Sequence, residues 1–358
     1  MALSCACDPS RTEEAEKSPS PTPSTSAATS AGSIASTPPG VAVAKGAPTV
    51  LSNGDAAVID LVDNQLVWSN VRAGYGQVRT FIRDLTTGTD TPIPPRRKTE
   101  SRSVAALGPE GRVVYLDGFD CCGDGQGEPS PSGWRLSLGT LGSPRELVLD
   151  SGEDNLDPAA WLVGEWVAWL PYEVEFNQGD PFTYNWRSGR RQRMTESELS
   201  LLDQAGDVRY YLEGKPQHYD VWSTEMRVPS NTRQRITQNG NVDQLLPGAG
   251  GPCWTQFHNE IWCKAGDDSP HRVLRERLAG PVRRGEGFIA WETGDGELAV
   301  IATSQTDGGR VVLRPQGPEG VRGSGMVVAD NRVIWAVTTE TGSTTSTTLH
   351  IATVTPSG

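Results

Sequence analysis

Histidine is scarce, with four in 358 residues, and none stands in an H-E-x-x-H arrangement. A G-x-S-x-G elbow and a P-loop are missing too, so no catalytic residue is nominated by motif. No apolar run reaches 18 residues, which leaves no helical segment suited to crossing a bilayer. Lys and Arg (32) are outnumbered by Asp and Glu (44), for a net charge of −12. That sign excludes the basic footprint of a nucleic-acid partner. Between Ser18 and Ala44 there is no charged residue at all, and Ser, Thr, Pro and Ala dominate. Such a stretch buries too little apolar surface to offset its ordering entropy, so residues 1–45 are read as a disordered linker.

What is present is a repeat. Asn64-Gln-Leu-Val-Trp68 sets the pattern: a turn, apolar residues, then an aromatic. Altered copies end at Tyr115, Trp169, Tyr210, Trp254, Trp291 and Trp335, spaced 47, 54, 41, 44, 37 and 44 residues apart. A strand-rich period of this size marks a radial or linear array. Each unit divides into four short strands bounded by Gly, Asp, Asn and Pro. The third runs through Ala159–Val163, Trp166–Trp169, Phe182–Trp186 and Arg191–Thr195. The expected fold is all-β: a seven-bladed β-propeller of four-stranded blades over residues 46–358. The aromatics pack between neighbouring blades. The last unit, through Met326, Trp335 and Ile351, lacks a fourth strand, and Pro48–Ser52 is a spare one. The N-terminal strand is expected to complete the C-terminal blade, which removes an open edge.

The phrases LVWSN…FIRDLTTGTDTPI and VAWL…YNWRSGRRQRMT resemble the repeats of TolB-like, WD40-like propellers. The resemblance covers residues 46–358 and implies a fold, not a chemistry. Met1-Ala-Leu-Ser-Cys-Ala-Cys7 is similar to the end of a bacterial lipoprotein signal, without its charged start and full apolar stretch. Cys5 and Cys7 are the lipidation candidates, and the Ser/Pro/Thr segment would hold the domain off the membrane. Contact with the membrane is expected only through that anchor.

Six cysteines are present. With Phe257-His258-Asn259 as a hairpin tip, Cys253 lies opposite Cys263, and a disulfide is expected. Cys121 and Cys122 are read as a vicinal disulfide or a free pair. No ligand spacing for a transition metal exists, and oxidised cysteines fit an extracytoplasmic site in the cell envelope.

Two long loops of consecutive units are expected to lie side by side. One carries Asp117, Asp120, Asp124 and Glu128, the other Tyr172, Glu173, Glu175 and Phe176, and Asp154 enters between them. They read as an acidic, partly aromatic recognition surface, or as solvated variable loops. Asp117, Asp120, Asp124 and Glu128 also offer oxygen ligands for Ca²⁺, in a spacing unlike an EF-hand. Arg190-Arg191 and Arg283-Arg284 are read as solvated faces. The function these features suggest is a monomeric, non-enzymatic scaffold binding a protein or peptide of the envelope, with no cofactor. The alternatives are a secreted glycan-active enzyme using Asp120, Asp124, Glu173 or Glu175, and a carbohydrate-binding propeller.

Overall fold

The computed structural model describes residues 40–357 apart from 71–78, 97–99, 120–132, 153–157, 171–181, 194–202, 206–207, 216–217, 226–232, 247–249, 267, 307–308 and 318–320. Two strands, β1 (Val41–Lys45) and β2 (Thr49–Ser52), precede the repeats. The first antiparallel sheet runs β3 (Ala56–Val62), β4 (Gln65–Asn70), β5 (Arg79–Asp84), β6 (Asp90–Ile93). The second runs β7 (Glu100–Gly108), β8 (Arg112–Phe119), β9 (Gly133–Thr140), β10 (Glu146–Gly152). The third runs β11 (Ala159–Val163), β12 (Trp166–Leu170), β13 (Phe182–Asn185), β14 (Arg190–Arg193).

A fourth run, β15 (Asp203–Ala205), β16 (Val208–Lys215), β17 (His218–Glu225) and β18 (Arg233–Arg235), is followed by a fifth. The fifth is β19 (Val242–Leu246), β20 (Cys253–Gln256), β21 (Glu260–Cys263) and β22 (His271–Arg275). One residue pair, Tyr219 opposite Val242, joins these two into a single eight-stranded sheet. The sixth run is β23 (Leu278–Arg284), β24 (Phe288–Thr293), β25 (Leu298–Ala302) and β26 (Val311–Arg314). The last is β27 (Val321–Ala329), β28 (Arg332–Thr341) and β29 (Thr344–Pro356).

Alternating side chains put an aliphatic stripe on each face of these runs, so each run needs a neighbour on both sides. The buried clusters follow that need in cyclic order. Val67 and Tyr115 join the first run to the second, and Leu136 and Trp169 join the second to the third. Ala168 meets Tyr211 between the third and fourth, and Val221 and Trp254 lie between the fourth and fifth. Ile261 and Trp291 link the fifth to the sixth, and Phe288 and Trp335 the sixth to the last. Trp68 and Ile334 then join the last run to the first. Six of the seven repeat aromatics are buried; in the fourth run Tyr211, not Tyr210, takes the buried place. Two adjacent tyrosines leave the strand parity open, and pairing of Tyr211 with Trp222 decides it.

Both N-terminal strands pair with β29, from Val41 opposite Pro356 to Lys45 opposite Ala352, and from Thr49 opposite Leu349 to Ser52 opposite Thr347. Pairing of Pro48–Ser52 was expected; β1 corrects the linker boundary, since it falls within residues 1–45. Its strand character comes from Val41, 3% exposed in the cluster with Phe288 and Ala352, and not from local polarity.

Between the last and first runs the backbones come close. Gly325 has φ +91°, and a Cβ there would stand 2.6 Å from the Val58 carbonyl oxygen. Gly325→Ala is therefore expected to lower the unfolding free energy by about 1–3 kcal/mol. Urea denaturation checks this, and an unchanged midpoint would contradict such close packing.

Candidate functional site

The hairpin β20–β21 is held at both ends. At its base Cys253 faces Cys263 and the two form a disulfide. At its tip Phe257 and His258 both take φ +53°, a left-handed conformation that side-chain-bearing residues adopt only when neighbours enforce it. Those neighbours are present: the His258 N–H donates to Asp243 Oδ2 at 2.6 Å, and the His258 and Asn259 carbonyls accept from Leu278 and Glu276.

Alternation along this hairpin separates two faces. Cys253 and Cys263 pack toward the sixth run. Trp254, its cross-strand partner Trp262, and Gln256 turn toward the fourth run. There they meet Ile236, Thr237, Gln238 and Asn239, with Pro270 closing one side, around a cavity of about 190 Å³. The segment after β18 is shaped by Asp220: its carboxylate accepts from Arg235, from the Thr237 hydroxyl at 2.7 Å and from the Gly240 N–H at 3.1 Å. Thr237 Oγ1 in turn accepts from the Val221 N–H.

None of the eight lining residues is ionisable. Trp254 is 1% exposed, and its indole N–H has no hydrogen-bond partner among the described residues. The Trp262 indole N–H donates to Glu260 Oε2 at 3.0 Å, and that carboxylate also pairs with Arg272 and Arg275. The wall is thus flat aromatic surface and neutral hydrogen-bonding groups held on a braced hairpin.

A larger cavity of about 310 Å³ lies between the first two runs, lined by Asp63, Asn64, Asp84, Thr86 and turn residues. Hydrogen bonds from Thr86 and Thr87 N–H hold the Asp84 carboxyl below its ordinary value and tie it to its own turn. Asp60 likewise acts as a stitch: its oxygens accept from Leu61 N–H and, across the run boundary, from Leu107 N–H at 2.7 Å. Burial pushes the Asp60 carboxyl up, against those bonds and the charge of Arg283.

The residues nominated from sequence for ligand binding, Asp120, Asp124, Glu128, Asp154, Tyr172, Glu173, Glu175 and Phe176, lie outside the described residues. So do Cys5, Cys7, Cys121 and Cys122. Asp117 is described and is no longer a calcium ligand candidate, because both its oxygens accept from Arg102, at 2.6 and 2.9 Å. Arg190, Arg191 and Arg283 are exposed, as a solvated face requires, while Arg284 is half-buried. Arg191 lies over Trp169 and Phe182 and donates to the Leu149 carbonyl; Arg284 donates to the Gly251 carbonyl. Their flat, weakly hydrated guanidinium groups suit aromatic faces and backbone acceptors. His350 stacks on Trp335 with ring centroids 5.2 Å apart, and burial, then Lys45 and Arg314, hold its pKa below the usual value. Among the described residues no group of three or more His, Cys, Asp or Glu is placed to hold a metal ion.

The groove was half legible: the hairpin and its disulfide followed from spacing, and opposed Trp254 and Trp262 follow from the same register. Residues 236–239 carry no motif, and Asp220 brings them there.

No family model and no curated protein matches the sequence. Solved structures do. The β-propeller domain of the Trilobed protease from Pyrococcus furiosus aligns with TM-score 0.54 at 9% identity, over 81% of this chain and 97% of that one. The Pyrococcus horikoshii acylaminoacyl peptidase aligns with TM-score 0.53 at 10% identity, over 82% of this chain; the match spans about half of the peptidase, 52%. TolB from Acinetobacter baumannii aligns at 11% identity over 87% of this chain and 80% of that one, with a TM-score of 0.42 that carries no argument. At these identities the likeness is one of fold, and that fold is the β-propeller.

Proposed function

We propose that residues 41–356 form a closed seven-bladed propeller that serves as an extracytoplasmic, lipid-anchored binding module without catalytic activity. The cyclic order of the seven clusters supports the ring, with β1 and β2 completing the last blade. The observation that carries the binding reading is the groove at Trp254 and Trp262. It is concave, aromatic, pre-braced and lined by neutral polar groups, which suits recognition. The partner class is an envelope peptide or glycan, with the chain as a monomer.

Two measurements test this. The Cys253–Cys263 pair is expected to be fully protected from alkylation in freshly isolated protein, and its mass is expected to rise only after reduction. Free thiols at both positions would remove the support for an oxidising location. The full chain is also expected to release no product from chromogenic glycosides or peptides. Turnover that vanishes in Glu173→Gln or Glu175→Gln would replace the binding reading with a glycan-active enzyme.

A further inference from the structure

We propose that the groove between the fourth and fifth runs takes a single neutral saccharide ring. This rests on the reading of that groove as the binding site and names its ligand class.

The lining selects by charge. Gln238, Asn239 and Gln256 supply three primary amides, each able both to donate and to accept, while the Thr237 hydroxyl proton is already given to Asp220. Sugar hydroxyls have the same dual character. An anionic or cationic ligand would lose hydration here and meet no opposite charge on the wall. The lining also selects by shape. Half-buried Trp262 offers the accessible indole, and its cross-strand partner Trp254, 1% exposed, backs the wall. Indole faces carry partial negative charge, and the C–H face of a pyranose is flat and weakly positive. Size limits the occupant: about 190 Å³ is below the roughly 300–1,000 Å³ of sites for drug-sized ligands. One ring fills that space.

The wall is built before any ligand arrives. The disulfide fixes the hairpin base, Glu260 fixes the Trp262 ring through its N–H, and Asp220 fixes the opposite segment. Such pre-organisation lowers the ordering cost of binding.

The test uses the full chain with glucose, galactose and N-acetylglucosamine as neutral probes, glucuronic acid as an anionic one and a proline-rich peptide as the other class. Saturation-transfer NMR and titration calorimetry are expected to show saturable binding of at least one neutral sugar, with a dissociation constant on the order of 1 mM, and none of glucuronic acid. Trp262→Ala and Gln256→Leu are expected to weaken it at least tenfold. Asn239→Ala, at an exposed position that leaves folding intact, is expected to weaken it several-fold. Silence from all neutral sugars, or equal affinity in all three variants, overturns the proposal. Binding of the peptide in the groove with the sugars silent overturns the saccharide assignment and leaves the binding module standing; silence from every probe removes both.

Discussion

A chain truncated to begin at Gly54 is expected to lose its cooperative melting transition or to melt far below the full chain. The truncation removes β1 and β2, and with them Val41 (3% exposed) and Leu51 (4% exposed) from two different clusters. Burying an aliphatic side chain of this kind contributes about 1.5–3 kcal/mol, so the pair accounts for about 3–6 kcal/mol. A folded domain has only about 5–15 kcal/mol in total. Backbone and side-chain links go too: Gly46 N–H to the Ile351 carbonyl at 2.9 Å, Ser357 N–H to the Gly40 carbonyl at 2.7 Å, and Lys45 Nζ to the Leu313 carbonyl at 2.6 Å.

What remains is β29, a 13-residue strand with its outer edge uncovered. A long bare edge templates pairing with other chains, so light scattering is expected to rise with the loss of melting. A peptide of residues 40–53 added in trans is expected to restore the transition by strand addition in the register that sets Val41 opposite Pro356. Truncation before Thr37, which keeps both β1 and β2, is the control and is expected to melt as the full chain does. An unshifted melting temperature in the Gly54 truncation would mean that the fold does not depend on its N-terminal strands.

The repeated four-stranded β-sheets were legible in the sequence because their physics is local and repeated. Each blade must bury a second-strand aromatic between neighbours, and Trp169, Trp254 and Trp291 announce themselves at 1% exposure or less. Turns at Gly164, Gly189 and Gly287 take positive φ, and their glycines punctuate the strands. Where the determinant is tertiary, the sequence is silent. Val41-Ala-Val-Ala44 reads as linker because its strand partner lies about three hundred residues away on β29. Nothing in the sequence nominates Arg102, since its partners Asp117 and Glu146 stand on strands whose register no spacing reveals. The groove shows the mixed case: the hairpin wall followed from Cys253 and Cys263, and the Thr237 wall depended on Asp220.

Arg102 also gives the largest single-site effect expected. It is 7% exposed and donates through Nε and Nη2 to Asp117, which is fully buried, and through Nη1 to Glu146 Oε1 at 2.8 Å. Its guanidinium lies 4.6 Å from the Tyr115 ring centroid, and Arg96 reaches Glu146 at 2.5 Å from the other side. Arg102→Met keeps the stem and removes the charge, leaving the buried Asp117 carboxylate with Arg96 Nε at 3.9 Å in place of its bidentate partner. Breaking a buried pair on one side costs about 3–5 kcal/mol, whereas replacing both members by apolar groups is close to neutral. The single variant is therefore expected to lose about that much in urea unfolding, and Arg102→Met with Asp117→Leu to recover most of it.

The pH dependence separates this from simple loss of packing. Burial pushes the Glu146 carboxyl up, but hydrogen bonds and charge from Arg102, then Arg96, outweigh it and hold the group below its ordinary value. A carboxyl depressed on folding stabilises above its unfolded pKa, about 4.3, and that contribution fades as pH falls through the lower folded value. The parent is expected to lose this increment on acidification below about pH 4, and Arg102→Met to have less of it to lose. The gap in stability between the two therefore narrows toward acid. A gap that stays constant from neutral pH to pH 3 would show that Arg102 acts through its stem and the Tyr115 ring alone.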